Sequence, residues 1–138
     1  MAIMKNSWRQ RGTELVEAAI ILPLVMLLLL GVIEYGWLFT RVGELNNAAR
    51  HAARVGIRVD ATQSDILAAV DELLGTEGAN ISGAAVDISA DPSTLETGQT
   101  LRVTITAAYR GNLELIGTSL FPVPDSIKAS AAMAKEGT

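Results

Sequence analysis

Arg11-Gly12-Thr13-Glu14-Leu15-Val16-Glu17, followed without a break by Ala18-Ala19-Ile20-Ile21-Leu22-Pro23-Leu24-Val25-Met26-Leu27-Leu28-Leu29-Leu30-Gly31-Val32-Ile33, decides how this chain folds. The uncharged run holds 16 residues, short of the roughly 20 needed to cross the hydrocarbon core of a bilayer. Widening it to 15–39 supplies the length. Glu17 and Glu34 then stand near the two ends, where carboxylates reach headgroups, and Tyr35, Trp37 and Phe39 form an interfacial aromatic cluster. Pro23 removes one helical hydrogen bond and predicts a kink between residues 19 and 23. On the N-terminal side, Gly12 closes an acid-free leader carrying Lys5, Arg9 and Arg11. With no Cβ, it leaves its backbone open to a partner and free to stay extended.

Outward from the span, the helix is expected to run to about Val59, a rod on the order of 70 Å from Thr13 at 1.5 Å per residue. Leu38, Val42, Leu45, Ala49, Ala52, Ala53 and Gly56 step by three and four, an apolar stripe that narrows to small side chains and lets a sheet approach closely. Asn47, Arg50, Arg54 and Arg58 form a polar row opposite, with His51 beside it. The row reads either as a dock for acidic patches of neighbouring subunits or as a solvated face. Thr62-Gln63-Ser64-Asp65 is a capping box opening a second helix on Ile66, Leu67, Val70, Leu73 and Leu74, stopped at Gly75.

The period then falls to two. Val86, Ile88 and Ala90 alternate with polar neighbours, as do Leu101, Val103, Ile105, Ala107 and Tyr109, and then Ile127, Ala129, Ala131 and Met133. The expected fold is therefore α+β: a long N-terminal helix, transmembrane in its first half, a short helix, and a small three-stranded antiparallel sheet. The predicted divisions are a leader at 1–12, a membrane segment at 13–40, an extramembrane continuation at 41–60 and a head at 61–138. Residues 111–125, with Pro122 and Pro124, make the longer connection, open to reading as a partner-facing surface or a passive link.

Composition excludes several functions. The chain has 138 residues and a formal charge of -4, and loss of Lys5, Arg9 and Arg11 leaves 8 basic against 15 acidic residues, or -7. That field does not suit nucleic acid. With no cysteine and a single histidine, His51, among arginines, nothing assembles a catalytic pair, a metal site or a small-molecule cofactor site. An ordinary secretory signal does not fit either, because Glu34, Tyr35 and Trp37 occupy the place of a small-x-small cleavage site.

Gly12-Thr13-Glu14-Leu15-Val16-Glu17, Leu22-Pro23-Leu24, Ile33-Glu34-Tyr35-Gly36 and Asn47-Ala48-Ala49-Arg50-His51-Ala52-Ala53-Arg54 together resemble the TadE-like pseudopilins of the Tad (tight adherence) pilus machinery. The resemblance is dense over roughly the first 60 residues and implies a type IV pilin-like fold. It implies cleavage after Gly12 by a prepilin peptidase, a mature N-terminus at Thr13, and a leader on the cytoplasmic side. It also implies partners: the membrane, other pilin or pseudopilin subunits and the pilus assembly platform. The head would lie on the periplasmic or extracellular side of a bacterial inner membrane, or be carried into a pilus. Type IV pilins usually have phenylalanine where this chain has Thr13, so a methylated phenylalanine terminus is not implied. A chain reaching about 80 residues past its long helix suits a minor or initiating subunit better than bulk filament.

On this reading Gly12, Thr13 and Glu17 serve processing, and the Glu17 carboxylate of one subunit pairs with the Thr13 α-ammonium of another. Glu34 has two open readings, pairing with a neighbouring subunit or facing the outer interface. Two other functions remain: a single-span anchored binding module, which would keep residues 1–12, and a pseudopilin of a secretion apparatus, which would be cleaved identically.

Overall fold

The computed structural model describes residues 7–75, 78–116, 121–135 and 137, with side chains from residue 12 onward. Leader residues 1–6 and residues 117–120 of the long connection lie outside the described residues. Helix α1 spans Ser7–Gly56 and α2 spans Gln63–Leu74. Strands β1 (Ala85–Ile88), β2 (Thr100–Ala108) and β3 (Ser126–Ala134) follow and pair antiparallel in the order β1-β2-β3. The fold is the α+β arrangement of long apolar helix, short helix and three-stranded sheet read from the periodicity.

Two local features depart from expectation, one at each end of α1. The backbone at Gly12 is helical, because α1 already starts at Ser7. A single glycine lowers helix stability by only about 1 kcal/mol, and a long helix that forms cooperatively tolerates that. Helix is present on both sides of Pro23, which removes one hydrogen bond from the ladder. At the other end α1 stops at Gly56, three residues early, and the chain tightens through Ile57 N–H to Ala53 O and Arg58 N–H to Val55 O. Beyond that end the buried Lys135 ammonium donates to the carbonyls of Arg58 (2.5 Å) and Pro92 (3.0 Å), tying the close of β3 to the end of α1.

α2 begins as its sequence requires. Thr62 N–H donates to Asp65 Oδ2 at 2.9 Å while Asp65 N–H donates to Thr62 Oγ1 at 3.4 Å, the reciprocal capping box. The Thr62 hydroxyl bond, then its backbone bond, holds the Asp65 carboxyl below the usual carboxylate range. Gly75 ends the helix, its N–H on Asp71 O at 2.7 Å.

The core forms where α1 meets α2 on one side and the sheet on the other. Leu45, Ala48, Ala49, Ala52 and Ala53 are buried on α1, and Leu101, Val103, Ile105, Ala107 and Tyr109 point inward from β2 and the residue after it. Small side chains on the helix make this approach possible. The limit comes at Gly56, where an added methyl would fall inside contact distance of Leu101 Cδ2 and lie 2.7 Å from Ile66 Cδ1. Gly56→Ala should therefore destabilise the head by roughly 1–3 kcal/mol through overpacking. Urea unfolding of the detergent-solubilised protein checks this, and an unchanged midpoint would contradict it.

Candidate functional site

At the close of β2 the chain turns toward the membrane-length part of α1. Tyr109 N–H donates to Asp125 O (2.9 Å), and Tyr109 O accepts from the N–H groups of Asn112, Leu113 and Glu114. Gly111 takes φ 75° within this turn, a left-handed value that favours glycine. The turn brings Leu113 O to the Trp37 indole N–H at 2.8 Å. It also aims two further amides at one carboxylate.

That carboxylate is Glu34, only 3% exposed. Its Oε1 accepts the Tyr109 hydroxyl at 2.8 Å and Leu115 N–H at 3.4 Å, and its Oε2 accepts Ile116 N–H at 3.0 Å. Returning toward β3, the loop lays Phe121 over Gly31, with a ring carbon 3.0 Å from where a glycine Cβ would stand, and Pro122 O accepts the Tyr35 hydroxyl at 3.1 Å. Arg110 closes the base, donating to Val123 O at 2.6 Å and pairing with Asp125 at 3.2 Å. Farther along α1, the Arg41 guanidinium lies 4.3 Å from the Trp37 ring centroid and donates to Ala79 O and Glu44.

The folded chain gives Glu34 a place that neither reading of the sequence named: it is engaged by its own head. The signal was present in two separate needs. A carboxylate inside an apolar helix needs a partner, and Tyr109, last in the inward series of β2, carries a hydroxyl into the core that needs one too. Their meeting across 75 residues depends on the loop.

The remaining candidates sit elsewhere. Gly12, Thr13 and Glu17 are exposed at the N-terminal end of α1, with Thr13 and Glu17 one turn apart. Glu17 is about 26 Å along the helix from Glu34 at 1.5 Å per residue, so these two acids do not share a site. Arg50, Arg54 and Arg58 are exposed. His51 is half-buried, and its Nε2 lies 3.7 Å from Glu72 of α2, at the edge of a groove of about 660 Å³ between the two helices.

Among the described residues, one helix is long and apolar enough to cross a membrane. The family model for the TadE-like protein matches residues 12–54, which take in the junction, the apolar run and the helical continuation. Over that segment the chain is similar to the TadE-like family, in agreement with the resemblance carried by its four motifs; the head lies outside the match. No curated protein and no solved structure matches the chain.

Burial, then the bond to Glu34 and that residue's charge, holds the Tyr109 hydroxyl well above the ordinary phenol range. A phenol raised in the folded state adds stability that is whole below the unfolded value near 10 and declines as pH rises beyond it. Tyr109→Phe should lower stability by about 1–3 kcal/mol at neutral pH and flatten the loss of stability above pH about 10. Thermal unfolding across pH 7 to 12 checks both, and an unaltered alkaline profile would contradict the assignment.

Proposed function

We propose that this chain is a non-catalytic minor pseudopilin, processed by a prepilin peptidase and used in assembling or priming a Tad-type pilus for surface adhesion. The observation that carries this reading is the TadE-like match over residues 12–54, which begins at the glycine before the expected cut. Peptidase cleavage after Gly12 creates an α-ammonium on Thr13. Glu17, exposed on α1 four residues on, then has a cationic partner available on an adjoining subunit. In low dielectric the attraction is strong, and desolvation offsets much of it, so the pair sets register between helices more than it adds stability.

In this account residues 13–40 lie in the bacterial inner membrane, residues 41–60 form the stretch beyond it, helical as far as Gly56, and the head stands on the periplasmic or extracellular side. The partners are the peptidase, other pilin or pseudopilin subunits and the assembly platform. The exposed Arg50 and Arg54 of α1, with Arg58 just past its end, offer those subunits a cationic surface. Glu34 takes part in assembly through its own head, by fixing how the head sits on the helix that other subunits would pack against.

The experiment is intact mass and N-terminal sequencing of protein recovered from membranes that contain the peptidase, for the parent chain and Glu17→Ala. Both should begin at Thr13, and Glu17→Ala should be incorporated poorly into pili. Retention of residues 1–12 would overturn the processing claim, and normal piliation by Glu17→Ala would overturn the pairing claim.

A further inference from the structure

We infer that the loop made by residues 113–116 and 121–124 is seated at the outer lipid boundary of the bilayer, from the headgroup layer into the top of the acyl region, so that the head rests on lipid instead of standing clear of it. This rests on the reading of α1 as a membrane span. Length is the first argument. A hydrocarbon core that starts beside Glu17 and needs about 20 residues ends near Trp37, yet the loop already covers one face of α1 at Gly31, Glu34, Tyr35 and Trp37. Head and lipid therefore overlap along about 9 Å of helix axis at 1.5 Å per residue.

The opposite face of those same turns gives the second argument. Val32, Ile33 and Phe39 are 63%, 51% and 73% exposed, large apolar side chains at the level of the loop that call for lipid around them. Third, Tyr35 and Trp37 are residues whose polar ends normally reach headgroups and water. Here the carbonyls of Pro122 and Leu113 accept those hydrogen bonds, so the loop backbone occupies the depth that headgroup water would. Leu115 continues the apolar surface outward from this contact, 50% exposed. The partner is thus a lipid surface, continuous with the one the helix already meets.

Because the chain has no cysteine, single substitutions carry a polarity-sensitive fluorophore without background. The full chain is reconstituted into phosphatidylethanolamine and phosphatidylglycerol vesicles containing nitroxide lipids, with the label at Leu24→Cys, Leu115→Cys, Pro122→Cys or Glu96→Cys. Glu96 is exposed in the loop that Lys135 ties to the far end of α1, and reports the distal head. Leu24→Cys should be quenched by nitroxides deep in the acyl chains, Leu115→Cys and Pro122→Cys by nitroxides at the headgroup or the top of the acyl region, and Glu96→Cys by neither. If Leu24→Cys is quenched while both loop labels behave like Glu96→Cys, the seating is overturned and the span stands. If Leu24→Cys is not quenched, the span fails and the seating with it.

Discussion

Glu34 sets a constraint that the rest of the molecule has to meet. A carboxylate buried in an apolar helix is destabilising unless donors surround it, and this chain supplies them from its own far end, through Tyr109 and the amides of Leu115 and Ile116. To deliver those donors the chain must turn sharply after β2, and the turn carries Leu113, Phe121 and Pro122 onto neighbouring positions of α1. That acid thereby joins Tyr35, Trp37 and Arg41 in holding the head to α1 ahead of its close-packed stretch. The two anchoring regions divide the labour: small side chains from Ala48 to Gly56 allow close apolar packing, with His51 facing Glu72 at its edge, while Gly31 to Arg41 uses hydrogen bonds.

The arrangement also separates the two acids of α1 by role. Glu17 is exposed near the start of the apolar run and available to another molecule, whereas Glu34 is enclosed by the same molecule. An exposed acid next to hydrocarbon favours association; an enclosed one favours a fixed angle between head and helix. In the proposed assembly, register with neighbours would rest on Glu17 and orientation of the head on Glu34, two different groups.

Much of this was legible from residue order alone. Thr62 and Asp65 marked the start of α2, Gly75 its end, and the period-two series from Leu101 to Tyr109 marked the central strand, because each of these signals is local. The Glu34 contact was not legible, since it depends on how far a 17-residue connection reaches when folded, and neither Glu34 nor Tyr109 specifies that distance. Gly12 illustrates the opposite error: a local argument for extended backbone yields to the cooperativity of the long helix around it. Similarly, the membrane segment at 13–40 rests on hydropathy, which carries no information about a loop returning to cover one face.

The most direct test of the central claim is a double-mutant cycle on the detergent-solubilised protein, comparing unfolding free energies of the parent, Glu34→Ala, Tyr109→Phe and the combination. If Glu34 ties the head to the helix through Tyr109, the two changes couple by about 1–2 kcal/mol. Additivity to within about 0.3 kcal/mol would mean that the carboxylate and the hydroxyl act independently, and would contradict the account.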